Sequence, residues 1–427
     1  MLKRIDVSDL ELGMFIHKLE GNWFRHPFWK AKFVLEDEDT LGSLRASAVP
    51  AVIIDTERGL DLRPVPRGRE SAAAGAAAPA SVLAPGARRG ARAAAGATAL
   101  APAQFDLRST TPQPLSREFG NAGRVADRSR KVISRVFLEA RLGKAIKAAV
   151  IEPVVEDIFA SVQRNPHAFN GLMRCKRDNE FVYRHALAVS ALMIALARQM
   201  KFSAADVRQA GMAGLLIDMG VGHLPVDLAA LGGDFRCIDQ RIFQEHAQLG
   251  HDLLRAGGIS DAVALAGLQH HERIDGSGYP QGLKGADIGR LGRMAAICDT
   301  YDWLVNDSAE GAGLDPAAAV AQLGGLSGSF DPEMLRHFAD AMGVYPVGSV
   351  VLLRSGRLAM VTAQDAANPA RPTVRTFWSA AGRRGVVPAE LALAQCFGQD
   401  AIEMTADPAE YGCHAFATLR ERLFAKG

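Results

Sequence analysis

The chain has 427 residues, enough for one to three domains with substantial cores. Its 48% hydrophobic and 22% charged residues exclude a mainly disordered chain, a collagen-like fibre and a disulfide scaffold. With 49 basic and 47 acidic side chains the net charge is +2, so no general attraction to nucleic acid or anionic membrane is expected. Cys175, Cys237, Cys298, Cys396 and Cys413 are odd in number and form no CxxC pair, which points to reduced thiols in a cytoplasm. The opening MLKRIDVSDLELGM has no apolar stretch of the signal-peptide kind. The apolar run Ala186 to Ala197 is too short to span a bilayer.

Residues 1–63 read as a small α+β domain. Phe33 to Leu35 and Ala51 to Ile54 are its short strands, and Asp37 to Ser47 is a helix between them. Trp23, Phe24, Phe28 and Trp29 cluster here, as a compact core or as a docking surface. Residues 64–124 read as a disordered linker. Half of positions 71–104 are alanine, prolines interrupt the run, and no periodic large apolar residue supports packing.

From 125 to 342 the period is helical. Val132, Val136 and Phe137, then Ile146, Val150 and Ile151, mark apolar faces. Helices are expected from Asp178 to Met200, from Ser203 to Met219 and from Ile238 to Arg255, where Gly257-Gly258 stops the last. Ser260 caps a helix carrying Gln269-His270-His271, and Ile288 to Val305 is another. From 343 to 427 the period shortens. Ser349 to Arg354, Leu358 to Ala363 and Thr373 to Trp378 read as strands of a β-rich extension that ends in a helix near 414–425.

Six of the eleven histidines fall between 185 and 271. His270 and His271 diverge by about 100° on a helix, so both reach one centre only if it lies beyond the helix end. Glu272 and then Asp275-Gly276-Ser277-Gly278-Tyr279-Pro280 follow, a loop with two glycines that a phosphate can approach. Asp218, after Leu215-Leu216-Ile217, is either a helix-end cap or a paired or metal-bound carboxylate. Asp299 and Asp302 share one face of an apolar helix and need partners, an ion pair or a metal. His185 and His246 sit mid-helix among apolar neighbours, where a lone histidine is commonly a satisfied core residue. Histidines and carboxylates together suit a first-row transition metal better than calcium or magnesium.

The string His270-His271-Glu272-Arg273-Ile274-Asp275-Gly276-Ser277-Gly278-Tyr279-Pro280 resembles the HHExxDGxGYP signature of the HD-GYP branch of the HD metal-dependent phosphohydrolases. His185 after Tyr183-Arg184, His246 in His246-Ala247-Gln248-Leu249-Gly250, and Asp299 in its apolar stretch are similar to further family motifs. Trp23, His26, Pro27 and Phe28 resemble a WxxHPF motif of a domain often fused ahead of HD-GYP domains. With the strand and helix patterns at either end, the fold expected is multi-domain: an all-α domain of HD-GYP resemblance, a small α+β domain before it and a small β-rich extension after it. The resemblance implies hydrolysis of cyclic di-GMP to pGpG or GMP, with one or two divalent transition metals, iron or manganese among them. Carried over, His185, Asp218 and Asp299 hold one metal. Asp218 bridges to a second held by His246, His270 and His271. Asp218 and Asp302 are the catalytic carboxylates, and Asp275, Gly276, Gly278, Tyr279 and Pro280 bind substrate. Cyclic di-GMP is the expected ligand, with signalling proteins or a second copy as partners and neither membrane nor nucleic acid.

The sequence departs from the family pattern at named places. Ile217 stands where the HD pair has its histidine, and Val221 where a lysine usually follows. Ser308-Ala309-Glu310-Gly311 replaces a basic segment, and Phe181 replaces the carboxylate some members use for a third metal. The second reading is therefore a catalytically impaired module that acts by ligand binding or protein interaction.

Overall fold

The computed structural model describes residues 2–20, 33–35, 38, 41–42, 45, 51–60, 109–176, 181–227, 231, 234–307, 313–326, 328–396 and 398–425. An N-terminal antiparallel sheet is formed by β1 (Leu2–Asp6), β2 (Phe15–Glu20), β3 (Phe33–Val34) and β4 (Ala51–Asp55), in the order β1-β4-β2-β3. Ile5, Met14, Ile16, Leu35, Val52 and Ile54 close a small core beneath it. The two expected strands are joined by β1 and β2, which the sequence reading missed. Most of the expected helix 37–47, and the aromatics 23–29, lie outside the described residues.

The expected linker 64–124 is corrected at its end, because α1 runs from Leu115 to Arg141. Polar and glycine-rich in its first turns, this stretch looks unstructured in sequence; it is fixed by tertiary partners. Glu118 is wholly buried and receives both Nε (2.7 Å) and Nη2 (2.9 Å) of Arg164. Ser161 donates its hydroxyl to the same carboxylate at 2.7 Å. Residues 61–108 are outside the described set. At its other end α1 meets the N-terminal core through Leu138 and Leu142.

The helical body follows with α2 (Ala148–Arg164), α3 (Ala168–Cys175), α4 (Phe181–Gln199), α5 (Ala204–Leu216), α6 (Gln240–Ala256), α7 (Asp261–Gln269), α8 (Arg290–Val305), α9 (Pro316–Gly325) and α10 (Pro332–Met342). Ser203 caps α5 as expected, its hydroxyl accepting the Asp206 N–H. The α4 helix lies within the expected span 178–200. Its 19 residues would suffice to cross a membrane by length and composition, but 78% of its apolar window is buried inside the protein, as in a core helix.

The C-terminal sheet is antiparallel, in the order β8-β7-β6-β5-β9, with β5 (Val350–Leu353), β6 (Arg357–Ala363), β7 (Thr373–Ser379), β8 (Arg384–Ala392) and β9 (Ile402–Thr405). The last two strands were not anticipated. This sheet is no loose appendage: Val350, Leu358, Met360 and Phe377 join the same continuous core as the helices. The final helix, α11 (Phe416–Ala425), stacks Phe424 on Phe119 of α1 at 5.1 Å.

Candidate metal centre

Five helices converge on one buried point. Close backbone approach brings them there, and small residues permit it. On α5, a side chain at Gly214 would place its Cβ 2.8 Å from Ser190 N, so α5 lies directly against α4 and Asp218 comes within reach of His185. A Cβ at Gly220 would lie 2.0 Å from His246 O, so the short 3-10 turn Met219–His223 sits on the backbone of α6. Asp218 is the residue before this turn and makes no cap hydrogen bond; its side chain faces the histidines instead. The cap alternative for Asp218 is thus set aside. His270 is the C-cap of α7 and His271 follows in a turn, so the centre lies past the helix end.

His246 Nε2 and His270 Nε2 are 3.2 Å apart, and Asp218 Oδ1 lies 3.4 and 3.7 Å from them. Each ring donates its Nδ1–H to a backbone carbonyl, His246 to Phe243 O and His270 to Gly267 O. Those bonds fix the tautomers and leave two Nε2 lone pairs facing each other beside a carboxylate. The ligating atoms of His246, His270 and His271 all lie within 4.8 Å of one another. Such an electron-rich cluster calls for a cation. Asp218 Oδ2 and His271 Nε2 are buried with no hydrogen-bond partner, so the donor set fits a metal.

Next to this group, His185 Nε2 is 2.9 Å from Asp299 Oδ1 and 3.3 Å from Asp218 Oδ2. Its Nδ1 donates to Asp302 Oδ2 at 2.7 Å. His271 Nδ1 lies 3.8 Å from Asp299 Oδ2. All six expected metal residues therefore meet. Asp302, expected as a catalytic carboxylate, stands behind His185, on the ring nitrogen turned away from Asp218 and Asp299.

Charge divides the site in two. Burial favours a neutral His185, but the hydrogen bonds it donates to Asp299 and Asp302 outweigh it and hold its pKa well above the usual value. Burial does the opposite elsewhere, together with the repulsion that two protonated rings side by side would suffer and the positive charge of His185 nearby. They push His246 down to about 3, His270 to about 4 and His271 well below the ordinary range. These three rings are neutral at physiological pH, the state a metal needs. Burial, with the charges of Asp299 and Asp302 beside it, raises Asp218.

The loop after His271 is clipped to the centre by Glu272, a buried residue to which sequence reading gave no role. Its carboxylate accepts the N–H groups of Gln281 (2.7 Å) and Leu283 (2.9 Å). Gly278 has its own reason: a Cβ there would lie 2.4 Å from His271 O and from Arg273 N. Gly276 takes φ +83° against the stem of Lys284. Tyr279, joined to Pro280 by a cis peptide, stacks on His271 at 4.6 Å. Asp275, expected to bind substrate, is exposed, and its oxygens accept Ser277 N–H (2.8 Å) and the Ser329 hydroxyl (2.9 Å) within the loop region.

Beside the centre, Ile217 and Val221 are buried in the apolar core, and Phe181 stacks on His185 at 5.6 Å. Residues 308–312 lie outside the described set.

Comparison with known proteins agrees with this geometry. Residues 2–151 match a family described as a domain of unknown function (DUF3391), and residues 164–334 match the HD domain family HD_5. The chain is 40% identical over 382 residues to the protein named cyclic di-GMP phosphodiesterase PA4108 of Pseudomonas aeruginosa, covering 89% of this chain and 86% of that one. The cyclic di-GMP phosphodiesterase response regulator RpfG of Xanthomonas campestris pv. campestris is 34% identical over 140 residues, 32% of this chain and 37% of that one. The 3'3'-cGAMP-specific phosphodiesterase 1 of Vibrio cholerae is 32% identical over 127 residues, 30% of this chain and 29% of that one. With the HHExxDGxGYP string closing onto a shared histidine and aspartate centre, the chain belongs to the HD-GYP family of HD-domain proteins.

Proposed function

We infer that this chain is a cyclic di-GMP signalling protein that hydrolyses the cyclic dinucleotide to pGpG or GMP. The observation that carries this is the pair of Nε2 lone pairs of His246 and His270 facing each other beside Asp218. A metal bound there supplies Lewis-acid polarisation of a phosphodiester and activation of water. Asp218, His246, His270 and His271 would hold it, and His185 with Asp299 offers a second position. Asp302 keeps His185 in orientation. Tyr279, stacked on His271, and the loop through Pro280 cover the centre and exclude bulk water. Gly276 and Gly278 let this loop fold tightly against His271 and Lys284, which brings it beside the centre. The 40% identity to a protein named for cyclic di-GMP supports this substrate. The five free cysteines fit a reducing cytoplasm.

Ile217 favours a second reading. A wholly buried isoleucine next to Asp218 brings no lone pair to the His185 side, so metal occupancy there is weak and the chain acts as a ligand-binding module. Turnover of cyclic di-GMP and 3'3'-cGAMP by the anaerobically purified full chain, with metal content measured on the same sample, separates the two. Hydrolysis that disappears together with metal in His270→Ala supports the enzyme. Wild-type protein that holds metal and turns over neither dinucleotide supports the module.

A further inference from the structure

A second cavity lies on the far side of Asp302, between α3, α4, α8 and α10, where the helical body meets Val347 before the C-terminal sheet. Its volume is about 270 Å³, room for roughly nine waters at liquid density. Leu192, Ala195 and Val305 give it apolar walls, and a few polar groups converge in it, the pattern of a small-molecule site. Those polar groups are incompletely satisfied. Arg174 Nε and Nη1 are buried with no hydrogen-bond partner, and Asn170 Oδ1 is a buried acceptor in the same state. Tyr301, also in the wall, is buried. Two buried guanidinium nitrogens without an acceptor carry a desolvation cost that an anion removes. Arg174 cannot easily swing away toward the sheet. Gly348, at φ +92°, brings the backbone so close that a Cβ there would stand 2.8 Å from Arg174 Nη1. The metal-ligating residues do not line this cavity, but Asp302 does, one side chain from His185.

We propose that this cavity binds one small oxyanion that also carries a hydroxyl donor, a hydrogen phosphate or a hydroxy acid, with Arg174 on the oxyanion and Asn170 Oδ1 accepting the hydroxyl. Orphan donors and an orphan acceptor in one cavity require both features in the ligand. A plain carboxylate such as acetate meets only the first.

The test is calorimetric titration of the full chain with inorganic phosphate, lactate and acetate at millimolar concentrations in an amine buffer. One phosphate or lactate per chain is expected, with acetate weaker, and whichever of the two binds names the ligand class. Binding should survive His270→Ala, which removes the metal centre. Arg174→Gln should weaken it about 10 to 100-fold, the loss of hydrogen bonds to a charged group. Ala195→Leu fills the cavity while keeping Arg174 and Asn170 in place and should weaken it as well, so the proposal stands or falls even where Arg174→Gln misfolds. Absence of phosphate and lactate binding in the wild type overturns it. So does binding that both variants leave unchanged, or that vanishes with His270→Ala.

Discussion

The carboxylate of Asp302 holds His185 by its Nδ1 proton at 2.7 Å, while the opposite ring nitrogen faces Asp299 and Asp218. One residue thus decides how the ring of another is turned toward the centre. Asp302→Asn keeps the size and removes the charge. We expect metal affinity to fall about 10 to 100-fold, as for other groups that orient ligands, with helical content unchanged. Metal titration followed by circular dichroism measures both, and undiminished affinity would remove Asp302 from this role.

Glu272 should behave as a clip. Its two charge-assisted bonds to Gln281 and Leu283 are replaced by weaker ones in Glu272→Gln. Each such bond contributes roughly 1.5–3 kcal/mol, so the loss is a fraction of that per bond. Amide exchange at Gln281 and Leu283 is expected to accelerate well before the rest of the helical body responds. Unchanged protection at both amides would show that the loop is held by other contacts.

Acid should destabilise the metal-free protein. His246 and His270, at about 3 and 4, and His167, which burial lowers to about 4, all titrate below the unfolded value of about 6.5. His271 shifts the same way. Below pH 6.5 the unfolded chain takes protons that the folded one refuses, so stability falls with falling pH until the folded values are reached. Asp218, raised by burial, opposes this between the ordinary carboxylate range and its folded value, but it is one group against four. His185 acts above pH 6.5, where its raised pKa makes stability decline as pH rises. Each unbalanced proton changes stability by about 1.4 kcal/mol per pH unit. Calorimetric melting at pH 7 and pH 5 should show the lower Tm at pH 5; the reverse order would mean that the three site histidines are charged.

Ile217→His tests what the isoleucine costs the site. If the side chain at 217 reaches the His185 side, metal stoichiometry should rise toward two per chain. A new imidazole in a wholly buried position also lowers stability unless a metal binds it, so added metal should restore Tm. Unaltered stoichiometry would mean that residue 217 faces only the apolar core.

Much of the site was legible because its signature is contiguous. His270 through Pro280 is a single string, and its chemistry follows from adjacency and two glycines. The partners of that string were not legible. Nothing local marks Glu272 as the acceptor for residues nine and eleven positions on, and nothing in the helical spacing of Asp299 and Asp302 says that one faces the centre and the other the back of His185. In the fold, strand β8 escaped notice because Arg384 to Ala392 is exposed along most of its length and contains Gly385 and Pro388, so it shows no alternation. The first turns of α1 were read as linker because their fixing contact, Arg164, lies 46 residues away.

One turn of α1 answers to two masters. Leu138 and Leu142 press into the N-terminal core, while the carbonyl of Ala140 between them takes the Nε2 proton of His223 at 3.3 Å. His223 ends the short turn that starts directly after Asp218. A stub of backbone at the end of α1 therefore touches both the N-terminal core and the turn that follows Asp218.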